Sequence, residues 1–357
     1  MSGRAARLVE RLPDLGADLL MVTSLVNVRY LTGYTGSNGA VLLGPRARTF
    51  LTDFRYIEQS AVEVGDAFER RIVAQDLIDG VIELVGAGAL RLAFEDAHLT
   101  VRAHAHLRQS LPPGVELVAA GDPVEELRLV KEPDEIRMIA EATRLADEAL
   151  ASILEQGLVG RTEREVATAL TRAMVDRGAQ GTSFDPIVAC GPHGALPHAE
   201  PRDVEIVPNQ LVVIDWGAQL DGYCSDCTRT VATGEPGEEA RAAYELVREA
   251  QRLGLEAVRP GVGGREADAA ARAVIDGAGH AEHYGHGLGH GVGLEIHEAP
   301  RLSQRSESVL AAGNVVTVEP GVYLPGRFGV RIEDLVVVTD TGTRVLTSLP
   351  KELQIVG

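Results

Sequence analysis

Two acidic residues, each set in an apolar run that otherwise reads as a buried β-strand, limit what this chain can fold into more than any other feature. Asp215 stands in Leu211-Val212-Val213-Ile214-Asp215-Trp216, and Glu319 ends Asn314-Val315-Val316-Thr317-Val318-Glu319. Each run leads through a turn signal into a second strand-like segment with its own acid. These are Asp226 in Gly222-Tyr223-Cys224-Ser225-Asp226-Cys227-Thr228 and Glu333 in Gly329-Val330-Arg331-Ile332-Glu333-Asp334. A hairpin turning at Leu220-Asp221 pairs positions whose numbers sum to 441, which sets Asp215 opposite Asp226. A turn containing Pro325-Gly326 opposes Glu319 and Glu333. Opposed side chains lie about 5 Å apart at Cβ, and like charges there are destabilising. One acid in a strand is ordinarily an edge or solvent-facing residue. Two opposed pairs require either shared protons or a cation between them.

The pairs also occupy matching places in a faint internal repeat. Gly157-Leu158-Val159-Gly160-Arg161-Thr162 resembles Gly261-Val262-Gly263-Gly264-Arg265-Glu266, from 157 to 261 an offset of 104, and the same offset carries Asp215 to Glu319. Each glycine segment opens an Ala-rich amphipathic helix, and Thr162 with Glu165 fits a capping box. Pro197-His198-Ala199-Glu200-Pro201 is loosely echoed by Ile296-His297-Glu298-Ala299-Pro300. A duplicated half-domain is the expectation. Imidazole is the usual addition when carboxylates hold a transition metal, and Gly285-His286-Gly287-Leu288-Gly289-His290-Gly291-Val292-Gly293 supplies it. Its glycines admit close backbone approach and read as neither ordinary helix nor ordinary strand. Four carboxylates and one histidine suit two metal ions, which together activate a water and polarise a carbonyl. Seven of the ten histidines lie between His193 and His297; His98, His104 and His106 read as structural, and His280 and His283 stay unassigned.

The 357 residues suggest two domains. Strands are expected over Ala17–Val22, Ala40–Leu43 and Thr49–Thr52, a hairpin turn at 36–39, and helices around 56–64 and 75–86. Pro123 to Lys131 reads as a connector. Pro133 opens a long helix to about Leu154, with Ile136, Ile139, Ala140, Ala142 and Leu145 at helical period. The fold class is therefore α/β (α+β), with an accessory domain over 1–124 and a catalytic domain over 125–357. A net charge of −18 repels nucleic-acid phosphates and anionic membranes, so neither is an expected partner. Neither the basic start, Met1 to Arg7, nor any later segment leads into an apolar run of signal-peptide or membrane-span length. Three cysteines make no disulfide framework, and a cytoplasmic location follows. Cys224 and Cys227, three apart on a strand, point to opposite faces and cannot grip one metal. No dinucleotide loop, P-loop or serine-nucleophile elbow occurs.

Taken together, these motifs resemble the pita-bread metallopeptidases, the family of aminopeptidase P, prolidase and methionine aminopeptidase. The resemblance rests on Ala195-Leu196-Pro197-His198, Val213-Ile214-Asp215-Trp216-Gly217, Ser225-Asp226-Cys227-Thr228-Arg229-Thr230, His286-Gly287-Leu288-Gly289-His290, Ile296-His297-Glu298, Val318-Glu319-Pro320-Gly321 and Val330-Arg331-Ile332-Glu333-Asp334. In the first domain it rests on Asn27-Val28-Arg29-Tyr30-Leu31-Thr32-Gly33-Tyr34 and Thr52-Asp53-Phe54-Arg55-Tyr56. It implies a pita-bread catalytic domain whose metal ligands are Asp215, Asp226, His290, Glu319 and Glu333, with Asp226 and Glu333 bridging. It implies that His198 and His297 contact substrate, that Glu319 handles the attacking water's proton, and that Arg331 supports the cluster or the substrate. Arg301 resembles a prolidase residue that holds a dipeptide's terminal carboxylate. Two divalent ions are implied, manganese first with cobalt or zinc as alternatives, along with a short proline-containing peptide substrate and a homodimer. The implied activity is that of an Xaa-Pro dipeptidase, with aminopeptidase P as the alternative. A non-catalytic peptide-binding relative and a creatinase-like hydrolase are opposed by the five intact ligands, and a methionine-type aminopeptidase by the accessory domain.

Overall fold

The computed structural model describes residues 2–74 and 76–357. Met1, of the basic start, and Gln75, the first residue of the helical pattern over 75–86, lie outside them. The chain divides into two units, Met1–Leu127 and Arg128–Gly357. The first is built on a mixed six-stranded sheet in the order Glu69–Val73, Ala47–Asp53, Ala40–Gly44, Leu19–Val22, Leu90–Phe94 and Val115–Ala119. The expected strands and helices are there, the helices as Ile57–Glu63 and Leu77–Leu84. The connector contains a short helix, Pro123–Arg128.

The glycines at 36–39 do not make a hairpin turn. They link the helix Leu25–Thr32 to the strand Ala40–Gly44, and the hairpin closes instead at Pro45-Arg46, between Gly44 and Ala47. Proline presets the φ of a turn's second residue. Gly36 and Gly39 are needed for space, since a Cβ on either would press on the Tyr34 ring.

In the second unit the duplication is explicit. Helices Pro133–Leu154 and Glu163–Asp176 cover a sheet ordered Ile187–Cys190, Leu211–Trp216, Cys227–Ala232. Helices Glu238–Ala257 and Gly264–Gly277 belong to the second half, whose strands run Gly289–Gly291, Val315–Val318, Asp334–Val338 in the same order. Each half has its own core. Leu150, Leu170, Val212, Ile214 and Trp216 pack together in the first. Val247, Ala271, Val316, Val318 and Val336 do so in the second. Gly157 and Gly261 both take left-handed φ, +79° and +83°, and Thr162 with Glu165 forms the expected capping box.

The first hairpin is two residues out of the register read from sequence. Leu220 pairs with Tyr223 and Asp215 with Thr228, so Asp221-Gly222 forms the turn and Asp215 does not face Asp226 directly. Asp221 and Gly222 both have positive φ, +45° and +77°. Asp-Gly tolerates that conformation, whereas a turn on Leu220-Asp221 would force it on a leucine. A slip of two preserves the face, so Asp226 remains beside Asp215 as a diagonal neighbour. The second register agrees with the sequence: Val318 pairs with Asp334 and Gly321 with Arg331, which brackets Glu319 against Glu333. The glycine-rich segment is also more regular than its composition suggests. His290 is the middle of the strand Gly289–Gly291, between Glu298–Leu302 and Val315–Val318.

Its glycines are there for space. A Cβ on Gly289 would overlap the Thr317 carbonyl, whereas one on Gly285 meets nothing within 4 Å. Gly289→Ala should lower the unfolding free energy of the metal-free protein by about 2–3 kcal/mol. Gly285→Ala should leave it level or slightly raised. Urea unfolding of the two variants checks both.

Candidate metal centre

Strand alternation brings the acids together. Val212, Ile214 and Trp216 point into the helical core of the first half, which turns Asp215 to the opposite face. Val316 and Val318 do the same in the second half, leaving Thr317 and Glu319 on the open face. The open faces share one space. Asp215, Asp226 and Glu333 each offer an oxygen within 4.8 Å of the others. His290 Nε2 lies 3.2 Å from Glu319 Oε1 and 3.6 Å from Asp226 Oδ2.

Hydrogen bonds fix most of these atoms. Arg331 donates from Nη2 to Asp215 Oδ2 at 2.6 Å, from Nε to Thr228 Oγ1 at 2.9 Å and from Nη1 to Tyr323 Oη at 2.8 Å. Thr228 in turn donates to Glu333 Oε2 at 2.7 Å, and Thr317 to Glu319 Oε1 at 3.0 Å. His290 Nδ1 is 3.1 Å from the Gly291 carbonyl, which can only accept, so Nδ1 carries the proton. In the neutral ring the Nε2 lone pair then points at carboxylate oxygens. Only a cation or a second proton reconciles them.

Two further observations fit a cation. Asp215 Oδ1 and Glu333 Oε1 are buried, with no hydrogen-bond partner among the described residues. The charges also strain against one another. Burial, then the neighbouring Glu333, Asp215 and Glu319, push Asp226 well above the usual carboxylate range. Burial, with Glu319 and Asp215, does the same to Glu333. Burial raises Asp215 too, opposed by Arg331. For Glu319 burial is outweighed by the hydrogen bond and charge of His290, with His286 and Arg331 adding, and its carboxyl is brought down to about 2. The donor set of carboxylates and one imidazole therefore suits divalent ions.

The cluster forms the floor of a cavity of about 650 Å³ that also exposes His198, His297 and Arg301. The His297 ring stands edge-on to His290, centroids 4.4 Å apart; burial, then His290 and Arg301, lower its pKa. Arg301 pairs with His290 across the strands. The cavity also takes in His286, whose Nε2 lies 3.0 Å from Tyr323 Oη. The glycine-rich segment around His286 marks it in the sequence, but nothing there assigns it a role. Thr228 would have emerged from the correct turn, because alternation sets it on the face of Asp226. Tyr323 has no sequence signal.

Other candidates lie elsewhere. His98 contacts Glu125, His106 contacts Asp79 and His104 packs on Phe94, all in the first unit. His193 is buried against Glu163. His280 and His283 face each other, Nδ1 to Nδ1, at 3.2 Å. Cys224 and Cys227 are buried in different apolar clusters.

Residues 137–340 match metallopeptidase family M24, and residues 4–130 match the creatinase/prolidase N-terminal domain. An uncharacterised peptidase of Bacillus subtilis is 43% identical over 341 residues, 95% of this chain and 96% of that one. An Xaa-Pro dipeptidase from Bacillus anthracis superposes with a TM-score of 0.95 at 40% identity, covering 99% of both chains. An X-Pro aminopeptidase from Thermotoga maritima superposes at 0.90 with 35% identity, over 99% of this chain and 100% of that one.

The electrostatics predict how metal and pH combine. In the metal-free protein Asp226 and Glu333 bind protons more tightly folded than unfolded. The native state therefore holds more protons above the ordinary carboxylate range, and these two groups lose stability as pH rises through it. A divalent cation takes the protons' place and removes that loss. The gap in melting temperature between Mn²⁺-loaded and chelator-treated protein should widen from about pH 5 to about pH 8. A constant gap would mean that the metal binds elsewhere.

Proposed function

The chain belongs to metallopeptidase family M24, and on that premise we propose that it hydrolyses the Xaa-Pro bond of short peptides as a dinuclear-metal Xaa-Pro dipeptidase. The observation that carries this reading is the set of four carboxylates around His290, Asp226 and Glu333 buried and Asp215 and Glu319 partly so, opening into a cavity with two histidines and an arginine. The likeness to the Bacillus anthracis Xaa-Pro dipeptidase supports it. In this reading residues 1–124 form the accessory domain and 125–357 the catalytic one.

Asp215, Asp226, His290, Glu319 and Glu333 would hold two divalent ions, Asp226 and Glu333 touching both. When bound, the ions supply Lewis acidity to the scissile carbonyl and bring a water within reach of ionisation near neutral pH. Manganese suits the oxygen-rich donors best, and cobalt or zinc can substitute. Glu319 takes up a proton from the attacking water. His198 and His297 donate hydrogen bonds to the substrate and to the oxyanion that develops from it. Arg331 opposes the rise that burial imposes on Asp215 and aims its carboxylate. Arg301 pairs with the free carboxylate that follows proline in a dipeptide. A homodimer in a reducing, cytoplasmic setting completes the reading; the three free, buried cysteines suit that setting.

The likeness to the Thermotoga maritima X-Pro aminopeptidase favours a second reading, aminopeptidase P, in which the chain continues past proline. Substrate length separates the two. After chelator treatment and Mn²⁺ reloading, Ala-Pro should be cleaved faster than Ala-Pro-Ala, with Met-Ala-Ala resistant and nothing cleaved in chelator. Faster Ala-Pro-Ala cleavage selects aminopeptidase P. A protein that elemental analysis shows to be metal-loaded, yet cleaves none of them, is not a peptidase of this kind.

Arg301→Ala should raise the Michaelis constant for Ala-Pro about tenfold or more, since a charge-assisted carboxylate contact contributes roughly 1.5–3 kcal/mol. Ala-Pro-Ala should change much less. Equal effects on both peptides would remove Arg301 as the carboxylate anchor.

A further inference from the structure

His198 stands in the loop 190–202, and both ends of that loop meet at one carboxylate. Glu163, the first residue of the helix Glu163–Asp176, is 0% exposed. At the outgoing end its Oε1 accepts from the Cys190 backbone N–H at 2.9 Å. At the returning end its Oε2 accepts from the Arg202 backbone N–H at 3.1 Å and from Arg202 Nε at 3.0 Å, while Arg202 Nη2 reaches Oε1 at 3.1 Å. Between them, His193 Nδ1 lies 2.9 Å from Oε2 and 3.1 Å from Oε1. Burial would raise this carboxyl, but Arg202, the two backbone donors and His193 hold it below its usual value, so it is ionised at neutral pH.

The rest of the loop is tied to the same frame. Its returning limb runs along the helix start, with Glu163 N–H donating to the Val204 carbonyl and Arg164 N–H to that of Arg202. Gly194 lies so close to Gly329 that a Cβ on Gly329 would overlap its carbonyl. Arg331 Nη1 donates to the Pro197 carbonyl at 3.2 Å, next to His198. With its base closed and its crest resting on the arginine that holds Asp215, the loop has little freedom to move His198.

We infer that Glu163 is the positioning residue for His198, closing the loop 190–202 at its base and thereby fixing where that imidazole meets substrate. The inference rests on the Xaa-Pro peptidase reading above for what His198 does, though the loop geometry stands without it. Glu163 itself touches neither the carboxylate cluster nor the cavity. A glutamine there keeps one accepting oxygen and turns an NH₂ group toward donors, which opens one end of the loop. An aspartate keeps the charge on a shorter arm.

The test compares full-length, Mn²⁺-loaded wild type, Glu163→Gln and Glu163→Asp by hydrogen exchange and by kinetics on Ala-Pro. In Glu163→Gln, exchange over 191–201 should rise while the helices Pro133–Leu154 and Glu238–Ala257 keep their protection. Metal content should be unchanged, kcat should fall about tenfold or more, and KM should move less than about threefold. Glu163→Asp should recover much of kcat. Should Glu163→Gln fail to fold, Arg202→Gln releases only the returning end and should give a smaller version of the same pattern. Unchanged exchange in the loop, loosening spread evenly over the unit, or a loosened loop with wild-type kcat would each overturn the inference. Wild type that cleaves no Xaa-Pro peptide overturns the functional reading instead, and the exchange pattern then decides the clamp by itself.

Discussion

Four carboxylates share the floor of one cavity with the guanidinium of Arg331, and the structure around them keeps like charges together that would otherwise separate. Arg331 answers only Asp215 directly. Glu333 and Glu319 are held by the hydroxyls of Thr228 and Thr317 and by their own backbone. Glu319 donates its N–H to the Leu288 carbonyl and Glu333 to that of Thr228, so both leave their own hairpin ladder at the point where they meet. Behind Glu333, Arg229 donates to its carbonyl and pairs with the buried Asp334, which Thr347, Gln251 and Lys351 also hold. Asp215, Glu319 and Glu333 are thus each braced by groups outside the set of acids. Such bracing is what keeps a site ready for cations while it resists collapse without them.

The duplication explains why bracing is possible. The fold brings together the open faces of two similar sheets, and each half fixes the other's acids. Thr228, from the first half, holds Glu333 of the second, and Arg331, from the second, holds Asp215 of the first. Thr230 of the first half also donates to the Arg331 carbonyl and accepts from its N–H. Neither half contains a complete site. Deleting the contacts across the seam would therefore cost the site before it cost either helical core.

Much of this was legible because it depends on period and on turn chemistry. The apolar runs ending in Asp215 and Glu319, the offset of 104 between them and the capping box at Thr162 are all local patterns. The second acid pair came out in register because its turn was located correctly. The first differs by two residues, because the turn falls on Asp221-Gly222 and not on Leu220-Asp221, yet a shift of two leaves the acids on one face. Two kinds of fact escaped. Tyr323 and the Arg229–Asp334 brace depend on long-range contacts that leave no mark on local pattern. The strand around His290 was hidden because its glycines suggest flexibility, while their actual role is to let neighbouring carbonyls pass.

The two histidines read as meeting substrate show how far the duplication has diverged. His198 belongs to a loop gathered at its base on Glu163. His297 precedes a strand held differently: Glu298 pairs with Arg128 and Lys131, all three nearly buried. That strand is also irregular, since His290 pairs with Arg301 but Gly291 with Glu298, leaving Ala299 and Pro300 as extra residues. Such a bulge re-aims side chains at a site, here those of His297 and Arg301. Buried ion pairs contribute little net stability compared with apolar packing, so Glu163 and Glu298 are poorly explained as aids to folding. Their shared feature is position. Glu298 follows His297 in the chain, Glu163 closes the base of the loop that carries His198, and each pairs with an arginine, Arg128 or Arg202, so charge committed away from the carboxylate cluster supports the segments that face it.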